Sequence, residues 1–143
     1  MIKRLDLKHV LDIVNLFLES NFKDGYNLDM LNGSFKNSYF FAFGEYDGGK
    51  LISFICGTKA VDTFDIEDIL VSPKFRRCGK AKELANHLFS KLVSDNVNKV
   101  FLEVRESNLS AINLYKSLGF IEINKREKYY SDGETALIFL KEL

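Results

Sequence analysis

The chain has 143 residues, 46% of them hydrophobic, and this length can bury the core of one domain, which we expect to span residues 1–143. Its 20 basic and 20 acidic residues cancel, and this balance argues against a broad nucleic-acid-binding surface. No apolar run approaches the ~20 residues that cross a bilayer, and the first residues lack a signal-peptide layout. We therefore expect a cytoplasmic protein that neither enters a membrane nor binds nucleic acid directly.

Cysteine and histidine residues give no indication of a metal site or a disulfide framework. Cys56 and Cys78 have no metal-ligand spacing, and His9 and His87 are far apart in the sequence. Cys56 lies in an apolar stretch and is expected in the core, whereas Cys78 lies in a polar turn and is expected to be exposed. We expect no metal cofactor, and this cysteine usage suits a reducing compartment.

Hydrophobic periodicity predicts alternating strands and helices along the first half of the chain. The predicted elements are, in order, a strand at 2–5, a helix at 8–20, an irregular polar stretch at 21–37 with room for a short helix at Met30 and Leu31, and strands at 38–46, 50–59 and 64–71. The turn at 47–49 contains two glycines after an aspartate, which is typical of a hairpin.

The second half continues the same alternation. It predicts a helix from 81 to 93, a strand at 99–105, a helix at 110–118 that Gly119 ends, and a final strand pair at 120–124 and 135–140. This order of elements indicates a single mixed sheet with helices on its faces.

The stretch from 69 to 95 is the most informative part of the sequence. An apolar strand, Ile69-Leu70-Val71, is followed by a basic turn at 74–81 and then by an amphipathic helix. The residues predicted on its buried face are Ala81, Leu84, Ala85, Leu88, Phe89, Leu92 and Val93. A turn at a helix start presents unpaired backbone N–H groups at the positive end of the helix dipole, so it can bind a phosphate or pyrophosphate.

The composition of this turn favours such a ligand. Gly79 allows a close approach of the backbone, and Ala81 is too small to block it. The basic residues around them, with no acidic residue between, are Lys74, Arg76, Arg77, Lys80 and Lys82. The alternative is a solvated helix start without a ligand.

Two segments of the chain resemble the GNAT superfamily of N-acetyltransferases. Arg76-x-x-Gly79-x-Ala81 resembles the acyl-CoA pyrophosphate loop of that superfamily. Residues 102–120 resemble its strand–helix segment, and the matching positions are Glu103, Val104, Asn108, Ala111, Leu114, Tyr115, Gly119 and Phe120. The second match is longer and more specific than the first, and both occur in the order and at the separation usual in the superfamily.

Within the superfamily, the chain most resembles bacterial ribosomal-protein-alanine N-terminal acetyltransferases. The likeness rests on Leu102-Glu103-Val104-Arg105, on Ser107-Asn108 and on a tail at 128–134, and the resemblance as a whole covers residues 38–143. It implies an α+β fold with a mixed, mainly antiparallel sheet of about six to seven strands and about four helices. The first 37 residues fit only in outline, and this region helps to shape the acceptor site in the family.

The resemblance implies acetyl-CoA as the cosubstrate. In the family, the strand before the turn diverges from its neighbour, so the backbone of that strand meets the pantetheine amides. The implied cofactor-binding residues are Ile69, Leu70, Val71, Arg76, Arg77, Cys78, Gly79, Lys80, Ala81 and Asn108. Asn108 matches the family residue that hydrogen-bonds the pantetheine arm, and its alternative role is a helix cap.

Acetyl transfer to an amine needs a base, because only the neutral amine attacks a thioester, and an acid can protonate the departing thiolate. The resemblance implies Glu103 as the base, while an exposed carboxylate paired with Arg105 or Lys99 is the alternative. Rival bases in the preceding strand are Asp65, Glu67 and Asp68. Tyr115 is implied as the acid, with its ring on Ile112 and Leu118, and its alternative role is a core anchor. Tyr129 and Tyr130 are candidates for the wall of the acceptor groove, or for ordinary hairpin packing.

The sequence therefore predicts an enzyme that acetylates a primary amine, with the N-terminal α-amine of a protein or peptide as the leading acceptor. A small-molecule amine and a lysine side chain remain alternative acceptors. A non-catalytic CoA-binding sensor and a nucleic-acid binder that uses residues 74–82 are alternatives from other classes. We expect a monomer or a homodimer.

Overall fold

Seven strands form one mixed sheet in the computed structural model, which describes residues 1–21 and 26–143. The strands are β1 (Ile2–Arg4), β2 (Phe40–Asp47), β3 (Lys50–Ala60), β4 (Thr63–Val71), β5 (Lys99–Arg105), β6 (Ile121–Arg126) and β7 (Ala136–Glu142). The helices of the described residues are α1 (Val10–Ser20), α2 (Leu28–Phe35), α3 (Lys80–Ser94) and α4 (Leu109–Ser117). Short 3-10 turns precede α1 at Leu7–His9 and α3 at Pro73–Phe75.

The sheet has the order β1-β2-β3-β4-β5-β7-β6. Neighbouring strands are antiparallel except β4 and β5, which are parallel and connected by α3. The prediction of a mixed, mainly antiparallel sheet with about four helices is confirmed. The sequence did not predict that β7 lies between β5 and β6, because strand order depends on contacts between distant segments.

Two separate cores cover the two faces of the sheet. On one face, α3 and α4 pack on the sheet through residues such as Leu84, Leu88 and Ile112. On the other face, α1 and α2 pack on it through residues such as Ile13 and Leu31. Cys56 is fully buried and Cys78 is exposed, as predicted.

One detail of the predicted helices is different in the structure. Val93 was expected on the buried face of α3 but is 57% exposed, because α3 ends at Ser94 and Val93 lies at the margin of the apolar stripe. The short helix expected at Met30 and Leu31 is confirmed as α2, which begins after Asn27, whose side chain accepts a hydrogen bond from the Met30 N–H. Residues 22–25 of the stretch predicted to be irregular lie outside the described residues.

A β-bulge in β4 opens the middle of the sheet. Cys56 of β3 is opposite Asp68, but the next residue, Gly57, is opposite Ile66, so Glu67 is an extra residue in β4. The pairing of β4 with β5 ends at the same point, at Ile66 and Leu102. Because a bulge bends its strand, β4 turns away from β5 beyond Ile66.

Close packing at the bulge also explains a glycine. A Cβ atom at position 57 would overlap with the carbonyl oxygen of Asp65 and with the ring of Phe64, so only glycine fits there. None of the helices in the described residues is both long enough and apolar enough to cross a membrane.

Candidate active site

The gap between β4 and β5 continues into a large cavity on the surface of the protein. Its volume is about 1550 Å³, and it extends from the turn before α3, past α4, to the segment between β6 and β7. With two exceptions, every residue that the sequence suggested for the site lines this cavity. The exceptions are Lys74 of the basic turn and Cys78, whose thiol donates a hydrogen bond to the Arg76 carbonyl at 3.4 Å.

The exposed edge of β4 offers backbone groups to the cavity. The Ser72 N–H donates to the Ile52 carbonyl of β3 at 2.7 Å. Since backbone groups alternate in direction along an antiparallel strand, those of Leu70 also face β3, whereas those of Ile69 and Val71 face the gap. The side chain of Leu70 is buried in the core beside α1. Of the three predicted residues, Ile69 and Val71 therefore present backbone groups to a ligand.

The turn before α3 provides an anion-binding geometry. Gly79 is the N-cap of α3 with φ +76°, and no side chain caps this helix end. Arg77, two residues earlier, also has a positive φ of 61°. The backbone N–H groups of the first helical turn therefore remain available to a ligand at the positive end of the helix dipole.

The basic side chains of the turn have different roles. Lys80 was predicted to face the ligand, but its Nζ lies 3.0 Å from Glu45 of β2, and this hydrogen bond raises the pKa of Lys80. Arg76 donates from Nε to the Val71 carbonyl at 3.2 Å, which holds the guanidinium across the end of β4. Arg77 and Lys82 are exposed at the rim of the cavity.

Glu103 faces the cavity from β5, because residues of this strand alternate between the core and the cavity. Its Oε1 lies 2.9 Å from Nη1 of Arg126, and its side chain is 30% exposed. A hydrogen bond between Tyr129 and Glu103 raises the pKa of Tyr129. The alternative role predicted for Glu103 was an exposed carboxylate paired with Arg105 or Lys99. In the structure its partners are instead Arg126 and Tyr129.

The three rival carboxylates lie near the bulge of β4 and line the same cavity. Burial raises the pKa of Asp65, and the negative charges of Glu67 and Glu103 raise it further. Glu67 accepts hydrogen bonds from the hydroxyl of Thr58 at 2.6 Å and from the hydroxyl of Tyr26. This end of the cavity therefore concentrates negative charge.

Tyr115 of α4 is buried beneath the cavity with its ring edge-on to Phe120 and tilted against Phe139. Burial raises the pKa of its hydroxyl, with a smaller contribution from Asp68, so Tyr115 keeps its proton at neutral pH. Asn108 caps α4, since its Oδ1 accepts a hydrogen bond from the Ala111 N–H at 3.2 Å. The cap role is therefore present, and Asn108 also lines the cavity.

An ion-pair network holds the segment after β6 against the site. Nη1 of Arg105 lies 2.8 Å from Asp132 and 3.0 Å from Glu134, and its guanidinium stacks over the ring of Tyr130. Glu134 also accepts a hydrogen bond from the Ser107 N–H at 2.9 Å. These contacts lower the pKa of Glu134. The network fixes Tyr130 at the cavity wall, and the Tyr129 ring is perpendicular to it at a centroid distance of 5.2 Å.

Two residues of the site were missed by the sequence analysis. Tyr26 lies within the stretch 21–37 that was predicted to be irregular, and Arg126 ends a strand that was predicted to end two residues earlier, at 124. Neither residue belongs to a local pattern, because each reaches its partner from a distant part of the chain. In the described residues, no group of three or more His, Cys, Asp or Glu side chains is arranged to hold a metal ion.

Known proteins resemble this chain in both sequence and fold. The [ribosomal protein bS18]-alanine N-acetyltransferase of Escherichia coli K12 is 40% identical over 93 residues, which are 63% of this chain and 63% of that protein. An N-alpha-acetyltransferase of Sulfurisphaera tokodaii is 40% identical over 74 residues, which are 51% of this chain and 44% of that protein. The chain thus matches less than two thirds of the length of either relative.

A solved structure extends the likeness to the whole fold. The crystal structure of the E. coli ribosomal-protein-S18-alanine N-acetyltransferase superposes with a TM-score of 0.89 and 28% identity, covering 99% of this chain and 92% of that one. The acetyltransferase (GNAT) family, whose members use acetyl-CoA as cosubstrate, matches residues 7–120. This match includes the first helices, which the sequence resemblance covered only in outline. The chain therefore belongs to the GNAT family of acetyltransferases.

Proposed function

We propose that this protein transfers the acetyl group of acetyl-CoA to a primary amine, and that the amine is the N-terminal α-amine of a protein or peptide. The observation that carries the proposal is a single cavity that joins the turn before α3, the gap between β4 and β5, and the pair of Glu103 and Tyr115. A module that only binds CoA needs the first two features but not the pair.

The cosubstrate is expected to span the cavity from the turn to the gap. The N–H groups at the start of α3, next to Gly79, suit the pyrophosphate, and Arg77 and Lys82 suit its negative charge. The backbone groups of Ile69 and Val71 suit the amides of the pantetheine arm, which would extend the sheet as a short strand does. Asn108 lies at the start of α4, where its amide can contribute to the same arm.

Glu103 would accept a proton from the acceptor ammonium, directly or through a water molecule. The neutral amine then attacks the thioester carbonyl, the new C–N bond forms, and the C–S bond of the tetrahedral intermediate breaks. The departing thiolate takes the proton of Tyr115, which is present at neutral pH because burial raises the pKa of that hydroxyl. Asp65, Glu67 and Asp68 remain rival bases, because they line the same cavity.

The assignment of an N-terminal amine rests on the relatives and on the shape of the acceptor end. One sequence relative is named for acetylation of an alanine of a ribosomal protein, and another is named as an N-alpha-acetyltransferase. Tyr129 and Tyr130 wall the cavity and can contact the backbone of an extended peptide. The nearby carboxylates would attract the positively charged chain terminus.

An assay of acetyl-CoA turnover with a panel of amines tests the proposal. The release of the CoA thiol is the measured signal. The panel contains peptides that begin with alanine, serine or methionine, the same peptides with a blocked N-terminus, lysine-containing blocked peptides, polyamines and aminoglycosides. We expect turnover with free peptides and none with blocked peptides. Turnover with small amines or lysine side chains alone would contradict the N-terminal assignment, and silence across the panel would contradict the enzymatic one.

Substitution of Gly79 by valine is expected to raise the KM for acetyl-CoA about tenfold and to change kcat less. Gly79 has φ +76°, which costs a β-branched residue about 1–2 kcal/mol, so the turn would change its conformation. A Cβ atom at this position meets no protein atom within 4 Å, and the effect should therefore concern the ligand rather than the core. Steady-state kinetics and thermal unfolding of Gly79→Ala and Gly79→Val give a graded series, and an unchanged KM in both would contradict the role of the turn.

A further inference from the structure

The guanidinium of Arg126 lies next to the Glu103 carboxylate, where the ammonium group of an acceptor would bind. Its Nη1 lies 2.9 Å from Oε1 of Glu103, and its guanidinium stands 5.5 Å from the centre of the Tyr129 ring. The side chain of Arg126 is 53% exposed and lines the cavity. An ammonium group that approached Glu103 would therefore meet a guanidinium on the same carboxylate.

Most other charged groups at this end of the cavity are negative. Besides Arg126 and Glu103, the titratable groups that line this part of the cavity are Asp65, Glu67 and Asp68 of β4, Tyr26 before α2, Tyr115 of α4, and Tyr129 and Tyr130 after β6. Further along the cavity, Arg105 is held by Asp132 and Glu134. The effect of Arg126 already reaches beyond Glu103, since its positive charge opposes the rise in the pKa of Asp65.

These charges have opposite effects on the acceptor. Carboxylates attract the ammonium form of an amine and stabilise it, but the ammonium form cannot attack a thioester. A nearby guanidinium repels the ammonium form and leaves the neutral amine unaffected. Without a positive charge at this place, the site would bind the acceptor well and keep it protonated.

We propose that Arg126 is a positioning residue that sets the charge state of the bound acceptor, favouring the neutral amine over the ammonium form next to Glu103. The inference rests on the proposed function, because it concerns the amine that this function acetylates. The proton that the ammonium loses passes to the Glu103 carboxylate, and the amine keeps the electron pair that forms the C–N bond. Arg126 itself exchanges no proton, since a guanidinium stays charged throughout the working pH range.

Substitution of Arg126 by glutamine has a signature that a structural role would not produce. At pH 7, the KM for an alanine-initiated peptide should fall about threefold to tenfold, because the repulsion of its ammonium group is gone. The midpoint of the rise of kcat with pH should move upward by about half to one pH unit, because the bound amine holds its proton more firmly. The kcat values of variant and wild type should converge at high pH, where the amine is neutral in both.

Lys125 offers a matched control on the opposite face of the sheet. Lys125 pairs with Leu137 of β7, which faces the core of α3 and α4, so Lys125 lies on that face of the sheet. Arg126 pairs with Ala136 of β7, which also pairs with Arg105, so Arg126 lies on the cavity face. Lys125→Gln changes the net charge by the same amount as Arg126→Gln, and we expect it to leave KM and the pH profile unchanged. Arg126→Lys retains the charge and should restore most of the wild-type profile.

The kinetic experiment separates this inference from the proposed function. Full pH profiles of kcat and KM are measured for the wild type and the three variants with the same peptide, and thermal unfolding checks that each variant folds. The inference is supported if Arg126→Gln, and not Lys125→Gln, lowers the KM for the peptide and moves the midpoint of the kcat profile to higher pH. An unshifted profile, a higher KM, or the same change in Lys125→Gln overturns it while wild-type turnover upholds the proposed function. Absence of wild-type turnover overturns the proposed function, and this inference with it.

Discussion

Substitution of Glu103 by glutamine is expected to lower kcat for an alanine-initiated peptide about 100- to 10,000-fold, which is the usual contribution of a general base. Glutamine keeps the size of the side chain and can still contact Arg126 and Tyr129, but it cannot accept the proton of the ammonium. The KM for acetyl-CoA should stay within about twofold, since Glu103 lies on β5 away from the turn at Gly79. Steady-state kinetics at several pH values give both constants.

The same measurement on β4 decides between the candidate bases. Asp65→Asn and Glu67→Gln remove a carboxylate from the same cavity, and we expect each to lower kcat less than about tenfold. Glu67 already accepts hydrogen bonds from two hydroxyl groups, those of Thr58 and Tyr26, so both of its carboxylate oxygens are occupied. A larger loss in Asp65→Asn than in Glu103→Gln would assign the base to β4 and contradict our assignment.

Substitution of Tyr115 by phenylalanine should lower kcat about 100-fold, because the thiolate then leaves without a proton donor at this position. The ring would keep its contacts with Phe120 and Phe139, so the melting temperature should change little. Tyr39→Phe, at an exposed tyrosine on the chain before β2, is the matched control. If Tyr115→Phe and the control both kept the wild-type kcat, Tyr115 would be a core residue and not the proton donor.

The pH dependence gives a second test of Tyr115. Its raised pKa means that the protonated form persists to higher pH than in a free tyrosine, whose pKa is about 10. The proton donor is therefore present at every pH below that value and is lost only above it. We expect no fall in wild-type kcat from this residue below pH about 10, and an alkaline limb with a midpoint near 8 that disappears in Tyr115→Phe would contradict this.

The parts of the fold that depend on local pattern were predictable from the sequence. The apolar stripe of α3 and the alternation of β5 have the spacing of their own secondary structure, so their positions followed directly. Most predicted site residues come together because they lie in one strand–turn–helix unit and in the strand and helix that follow it, whereas Tyr129 and Tyr130 reach the cavity from the segment between β6 and β7. The resemblance to the family rested on the same two segments, since function is concentrated there.

The remaining features depend on contacts that no local pattern contains. Phe64, Ile66 and Leu70 have even spacing and would share one face of a regular strand, but the bulge at Glu67 places Leu70 in the opposite core. The contact between Arg126 and Glu103 joins residues of β6 and β5 that are separated by α4. The charge of Lys80 is turned toward Glu45, a partner 35 residues earlier. Such partners become visible only in three dimensions.

The extra residue in β4 also constrains how the length of this strand can change. A different side chain at position 67 would leave the other side chains of β4 on their present faces of the sheet, because the bulge is a property of the backbone pairing. Loss of one residue between Ile66 and Asp68 would move every later side chain of β4 to the opposite face of the sheet. Ile69 and Leu70 would then exchange faces. We therefore expect β4 to tolerate substitution far better than deletion, so that changes of chain length fall in loops rather than in this strand.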